Sequence, residues 1–168
     1  MPHPRRTSVW RLLPLLPLLG SCVYGFAGGG LPRHVRTVAV IPFENQTPLP
    51  ELQREINEAL RVAFEQRLGL RDAAEDRADA IVRGTIVRVE PDAPVAFSAD
   101  ASRSTSIRRR MQIVVDIEIF DQVTGRVLWE KKGVTAEGEY AERQEVAGRR
   151  QAIDRIVADV IEGAQSQW

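Results

Sequence analysis

One cysteine, two histidines and only 6% aromatic residues set the first limits on this chain of 168 residues. A single cysteine excludes an intrachain disulfide framework and any zinc cluster built on cysteine. Two histidines, one of them at His3, leave little material for a histidine-rich metal site. Net charge is missing too, since 23 basic residues face 23 acidic ones. The first 21 residues hold Arg5, Arg6 and Arg11 and no acid, so the remainder carries 20 basic against 23 acidic residues. Nucleic-acid binders are ordinarily basic, and this mild excess of acid argues against that class. No stretch reaches the roughly 20 apolar residues that a permanent transmembrane helix needs. What is present is globular: 43% apolar and 27% charged residues, in a length that suits one domain.

The first 21 residues read as a signal peptide. Arg5, Arg6 and Arg11 form a positive beginning, and Leu12, Leu13, Leu15, Leu16, Leu18 and Leu19 form a short apolar stretch interrupted by Pro14 and Pro17. The stretch ends in Leu19-Gly20-Ser21-Cys22. Small residues followed by cysteine resemble the lipobox of bacterial lipoproteins, which implies cleavage before Cys22 and acylation of its thiol. Several acyl chains on one residue anchor a protein stably, whereas one chain alone is marginal. In enteric bacteria Asp after the cysteine retains a lipoprotein in the inner membrane, so Val23 implies, by that resemblance, the outer membrane. Residues 22–34 form a lipidated tether, with Gly25, Gly28, Gly29 and Gly30 supplying flexibility.

Residues 35–168 are expected to form a single domain. Val38-Ala39-Val40-Ile41 is a nearly continuous apolar run within a strand over residues 35–43, ended by Pro42 and the stretch Asn45-Gln46-Thr47-Pro48. Leu52, Ile56, Leu60, Phe64 and Leu68 recur every four residues, which predicts an amphipathic helix from about Pro50 to Leu68, stopped by Gly69. A second strand spans residues 80–89. Residues 91–106, with two prolines, four serines and one threonine, read as a long polar loop. In the third strand, residues 107–120, Ile113, Val115, Ile117 and Ile119 alternate with Gln112, Val114, Asp116 and Glu118. Asp121 to Gly125 is a turn, and residues 127–135 return as a fourth strand. Ile153, Ile156, Val157, Val160, Ile161 and Ala164 mark a closing helix that starts near Glu142. The order β-α-β-β-β-α predicts an α+β two-layer sandwich: a mixed four-stranded sheet covered on one face by two helices.

Several segments resemble the LptE family of lipopolysaccharide-assembly outer-membrane lipoproteins. Cys22-Val23-Tyr24-Gly25-Phe26 with Leu31-Pro32 is similar to the family's mature beginning. Val38-Ala39-Val40-Ile41-Pro42-Phe43-Glu44-Asn45-Gln46-Thr47 resembles its first strand and the P-x-F-x-N-x-T ending. Ala78-Asp79-Ala80-Ile81-Val82-Arg83-Gly84-Thr85-Ile86 resembles its second strand, and Asp121-Gln122-Val123-Thr124-Gly125-Arg126-Val127-Leu128-Trp129 its hairpin. The resemblance implies a non-enzymatic subunit without cofactor that plugs an LptD-type barrel, assists its assembly and contacts lipopolysaccharide. The opening run is shared with lipoproteins of the curli-secretion type, activators of penicillin-binding proteins and the TolB amino-terminal domain. An activator or secretion accessory that binds a peptidoglycan synthase or a pore is therefore the alternative.

The densest basic cluster is Arg103-Ser104-Thr105-Ser106-Ile107-Arg108-Arg109-Arg110. Guanidinium groups pair bidentately with phosphate, so Arg103, Arg108 and Arg110 are the candidate contacts for lipopolysaccharide or a partner. Arg108 and Arg110 share one strand face and Arg109 points away. The plainer reading is a solvated strand end whose charges discourage edge pairing. Asp116 and Glu118 share a face as acid–base carboxylates would, but cross-strand pairing explains them: with a three-residue loop Asp116 faces Lys132 and Glu118 faces Glu130. The serines lack a histidine partner other than His34, which makes a hydrolase triad improbable. Gly28-Gly29-Gly30 is not followed by a helix and does not match a phosphate loop. Trp129 belongs to the core or the hairpin, and Trp168 is left open between partner anchor and exposed terminus.

Overall fold

The computed structural model describes residues 30–93 and 109–166. Six strands and two helices follow one another as β1 (Thr37–Val40), β2 (Glu44–Asn45), α1 (Glu51–Leu68), β3 (Arg71–Asp72), β4 (Ala80–Ala93), β5 (Arg109–Asp121), β6 (Arg126–Tyr140) and α2 (Glu145–Ser166). A short 3-10 turn, Glu75–Arg77, leads into β4. The sheet runs β3-β1-β4-β5-β6, with β2 also pairing β4. β1 is parallel to β3 and β4, whereas β4, β5 and β6 are antiparallel, so the sheet is mixed.

The α+β class and the two helices match the sequence reading, and the strand count corrects it from four to six. The two additions are two-residue strands, too short to show any periodicity. β2 exists because the chain bends at Pro42-Phe43 and rejoins β4 further along, with Glu44 opposite Thr85 and Asn45 opposite Ile86. β3 exists because α1 ends beside β1. Gly69 takes φ +68°, and the amides of Gly69 and Leu70 bond the carbonyls of Glu65 and Phe64, which reverses the chain.

The helical stripe packs as its spacing dictates. Leu52, Ile56, Leu60 and Phe64 are fully buried, and so are Ile156, Val160 and Ala164 of α2. They meet the inner sheet face formed by Val38, Val82, Ile86, Met111, Ile113, Val115, Ile117 and Ile119. Between the two helices Arg149, 12% exposed, holds Glu55 through two bonds of 2.8 and 3.0 Å. That bond raises the Arg149 guanidinium pKa.

Two glycines are explained by close approach. A Cβ on Gly84 would sit 2.4 Å from Asp116 O and 2.6 Å from the Phe43 ring, so the missing side chain is the space Phe43 occupies. A Cβ on Gly138 would lie 1.8 Å from Gly148 O, which brings the end of β6 against the first turn of α2.

The β5–β6 hairpin departs from the expected register in an instructive way. Its loop holds four residues, because Asp121 pairs Arg126. A shift between Ile119 and Phe120 then leaves Leu128 as the extra residue, and this restores Glu118 opposite Glu130. A second shift between Val115 and Ile117 places Lys132 and Gly133 together across from Asp116. Gly133 takes φ +65°, and its amide donates to Asp116 Oδ1 at 2.7 Å. Asp116 therefore bonds a bulge backbone, and Lys132 instead pairs Glu130 at 3.1 Å.

Candidate functional site

The described part of the predicted basic cluster, Arg109 and Arg110, lies where β4 ends, β5 begins and β6 ends. Cys22, Arg103 and Arg108 lie outside the described residues, as do most of the predicted loop and Trp168. Arg109 and Arg110 are described, and the strand sends them to different partners as alternation requires. Arg109 Nη1 binds Asp92 Oδ1 at 2.9 Å, which tethers β5 to the end of β4. The same Asp92 oxygen accepts from Tyr140 Oη at 3.1 Å, and Tyr140 also donates to Pro91 O. The Arg109 bond, then that of Tyr140, holds the Asp92 carboxyl below its usual range. Burial, then Asp92, pushes the Tyr140 hydroxyl up.

Arg110 sits on the sheet face away from the helices. Its Nη1 lies 3.2 Å from Glu137 Oε2, and Gln112 Nε2 donates to the other Glu137 oxygen at 3.3 Å. Among the described residues, Arg110 Nε is buried without a hydrogen-bond partner. The guanidinium is thus held by one carboxylate and keeps an unused donor, which costs more than an exposed one would. Glu137 is the component that sequence reasoning missed. Its signal is the alternation that runs on past residue 135: Val134, Ala136, Gly138 and Tyr140 are buried, and Glu137 and Glu139 fall between them.

The face that carries Arg110 continues along the sheet as a band of charge. Arg83 Nη2 lies 2.6 Å from Glu118 Oε1, and the guanidinium stands 5.4 Å from the Phe120 ring centre. The carboxylates that an acid–base reading would use are therefore occupied, Glu118 by Arg83 and Asp116 by the Gly133 amide. Among the described residues, no group of three or more His, Cys, Asp or Glu side chains is placed to hold a metal ion. Trp129, 7% exposed, lies in the core with Gly163 of α2 beneath its ring, as a core or hairpin residue should.

The opposite end of the sheet holds two carboxylates with structural duties. Asp121 is 1% exposed. Its oxygens accept from His34 Nε2 at 2.7 Å, from the Val123 amide, and from the Thr124 amide and hydroxyl. Burial alone would raise the Asp121 pKa, but the Thr124 and His34 bonds outweigh it and hold the carboxyl below its usual range. Asp79 accepts from the Arg36 amide and from the Thr37 amide and hydroxyl, all at 2.8–2.9 Å. The Arg36 amide, then the Thr37 hydroxyl, lowers its pKa. Asn45 closes the turn before α1, accepting from Thr47 and donating to Leu49 O. The segments that carry the sequence resemblance thus perform positional work: Asp79 fixes the entering chain, Gly84 admits Phe43, and Asn45 shapes the turn.

Among the described residues, no helix is long and apolar enough to cross a membrane. A search of curated proteins finds no match. The fold is similar to that of the PelC dodecamer from Paraburkholderia phytofirmans, at 17% identity and TM-score 0.54, over 82% of this chain and 94% of that one. It is also similar to protein XCC0632 from Xanthomonas campestris, at 12% identity and TM-score 0.50, over 78% of this chain and 84% of that one. At these identities the likeness is one of fold. A family model matches far more specifically: residues 35–164 fit the model described as "LptE: Lipopolysaccharide-assembly", and the chain belongs to the LptE family.

Proposed function

We propose that this chain is a lipoprotein subunit of the outer-membrane lipopolysaccharide transport and assembly complex. In that reading it plugs an LptD-type barrel, assists the barrel's assembly and contacts lipopolysaccharide. The observation that carries the reading is the LptE match over residues 35–164, downstream of a lipobox-like Leu19-Gly20-Ser21-Cys22. Acylated Cys22 holds the protein on the outer membrane, with its domain on the periplasmic side or within the barrel lumen. The role is one of binding, without catalysis or cofactor. Support for a non-catalytic role comes from the carboxylates themselves, which are engaged in strand pairing and turn closure.

Arg103, Arg108 and Arg110 form the proposed contact surface for lipid phosphates. Arg110 brings a guanidinium held in place by Glu137, and sheltered charge-assisted bonds contribute about 1.5–3 kcal/mol each. The deciding experiment is affinity purification of the acylated protein from membranes. Recovery of a large barrel together with lipopolysaccharide supports the reading; recovery of a peptidoglycan synthase replaces it. Arg103→Gln, Arg108→Gln and Arg110→Gln together should leave folding intact and weaken capture of purified lipopolysaccharide. The wild-type interaction should fall with added salt. A folded triple variant with unchanged capture removes the contact surface from this cluster.

A second reading is an activator or secretion accessory that binds a peptidoglycan synthase or a pore; the protein of similar fold from Paraburkholderia phytofirmans is a dodecamer. Native mass separates the two. An assembly of many copies favours the accessory, and one copy per barrel favours the transport subunit.

A further inference from the structure

We infer that the end of the domain where the chain enters the fold is a docking surface for anionic phospholipid headgroups. Arg33 and Arg67 line one recess there with Leu31, Leu68 and Leu70. Arg36 and Arg71 adjoin it, linked by a backbone bond of 3.0 Å from the Arg71 amide to the Arg36 carbonyl. All four arginines are exposed. None of the four has an ion-pair partner among the described residues.

Five other exposed arginines, Arg54, Arg126, Arg143, Arg150 and Arg155, likewise have no ion-pair partner among the described residues, but none of them lines this recess. Arg61, Arg83, Arg88, Arg109, Arg110 and Arg149 each lie beside a carboxylate. The neighbouring acids do not neutralise the patch. Asp79 is occupied by the backbone amides of Arg36 and Thr37, and Asp72 is directed to Arg61 at 3.8 Å. Glu65 is the one acid on the last turns of α1 near Arg67. Four exposed guanidinium groups without an ion pair among the described residues thus belong to this end of the domain, which also holds partly exposed Leu31 and Leu68, although the net charge is zero.

The position of the patch selects the partner. This step rests on the lipid-anchor reading above. Eight peptide steps separate Cys22 from Gly30, so the recess lies within about 29 Å of an acylated Cys22. In that reading the anchor keeps the recess within this distance of a membrane surface. Guanidinium groups bind phosphate bidentately, and basic residues close to an anionic leaflet attract it within a Debye length. Part-exposed leucines beside the arginines suit the boundary between headgroups and acyl chains. The anchor and the patch would together hold the domain in one orientation, with the cluster at Arg109 and Arg110 at the far end of the sheet directed away from the leaflet.

The test uses the mature chain, residues 22–168, carrying Cys22→Ala so that acylation does not mask the contact. It contains every described residue of the fold. Sedimentation with vesicles of phosphatidylglycerol and phosphatidylcholine should recover the protein, and vesicles of phosphatidylcholine alone should recover little. Adding Arg33→Gln, Arg36→Gln, Arg67→Gln and Arg71→Gln should lower partitioning at least tenfold, at about fivefold for each arginine near the surface. The melting temperature should not move, because all four side chains are exposed. Arg33→Glu with Arg67→Glu is the second variant, and it should abolish recovery if the recess is the contact. Equal recovery on both vesicle types, or a folded quadruple variant that partitions like its parent, overturns the inference. So does loss of vesicle binding in the Arg103, Arg108 and Arg110 triple variant with the quadruple variant unaffected. Capture of lipopolysaccharide should persist in the quadruple variant. Its loss there, without loss of vesicle binding, would make this end the lipopolysaccharide site and would count against both readings in different ways.

Discussion

The two faces of β5 are built from the same thirteen residues and do opposite work. Met111, Ile113, Val115, Ile117 and Ile119 are at most 2% exposed and form the floor on which both helices lie. Arg110, Gln112, Asp116 and Glu118 alternate with them, share their face with Val114 and Phe120, and bond charged or polar groups. Burial on the first face is set by area and shape, each side chain contributing about 1.5–3 kcal/mol. Pairing on the second face is set by direction and charge, with exposed pairs contributing about 0–1 kcal/mol. The inner face therefore determines whether the domain exists, and the outer face is free to carry contacts that folding does not require.

The sharpest way to break this comparison is Ile117→Asp. It removes a fully packed side chain, a loss of about 2–5 kcal/mol by itself. It also forces an unpaired carboxylate into the core or obliges it to protonate. The sum approaches the whole stability of a domain this size, about 5–15 kcal/mol. Loss of cooperative thermal unfolding at neutral pH is the expected result. A variant that still melts within a few degrees of wild type would show that the inner face tolerates charge, and the division between the faces would fall.

Next in size is Arg149→Met, which tests whether charge on the helical side behaves differently from charge on the outer face. Arg149 is nearly buried between α1 and α2, and its removal strands Glu55 at 29% exposure. Partial exposure screens that carboxylate, so the expected cost is about 1–2 kcal/mol, below the 3–5 kcal/mol of a fully buried pair. Arg149→Met with Glu55→Gln should recover most of it. Urea midpoints of the single and double variants measure the coupling. No recovery would mean that Arg149 acts through packing alone.

Much of this division is legible in the sequence. The period of two in β5 and the fourfold stripe of α1 both require only that one face be buried, and both elements form as that rule demands. Gly69 stops α1 because a left-handed position follows the helix. Other features depend on partners distant in the chain. β2 and β3 are two residues each and owe their existence to neighbours already in place. The bulges at Leu128 and Gly133 shift the register of β6, and no periodic pattern encodes a single extra residue. His34 reaches Asp121 across 87 positions, although its place in the chain groups it with the tether. Asp121 does leave a signal: it continues the buried parity of β5 and precedes a turn, where an aspartate caps its own loop. For the candidate contact surface, the cluster of arginines is visible in the sequence, whereas the acceptor Glu137 emerges only when the fourth strand is followed through Ala136 and Gly138 to Tyr140, where its alternation ends.

A pH titration sharpens the comparison at the sheet end. The Asp79 pKa is lowered in the folded state by the Arg36 amide and the Thr37 hydroxyl. A folded pKa below the unfolded value means that the unfolded chain binds more protons in that window. The stability it contributes is complete above about pH 4, where the unfolded side chain is ionised. It is lost as pH falls through the depressed folded value. Asp79→Asn should therefore be less stable than wild type at pH 7, by about 1 kcal/mol, and the gap should close towards pH 3. Urea midpoints at both pH values measure it. A gap as wide at pH 3 as at pH 7 would assign the loss to geometry.

The smallest expected effect is the one that most directly opposes Ile117. Asp116 is the adjacent residue, pointing the other way, and it accepts from the Gly133 amide at 2.7 Å. Asn keeps a carbonyl oxygen that can accept from that amide, and the surroundings are open to water. Asp116→Asn should therefore change stability by no more than about 0.5 kcal/mol. Asp116→Ala removes the acceptor and should cost about 1 kcal/mol, because the bulge amide must then turn to water. Thermal melts of the two variants beside Ile117→Asp give the full contrast within two neighbouring positions. If Asp116→Asn destabilised as much as Ile117→Asp, the outer face would belong to the folding core, and it could not be a surface left free for binding.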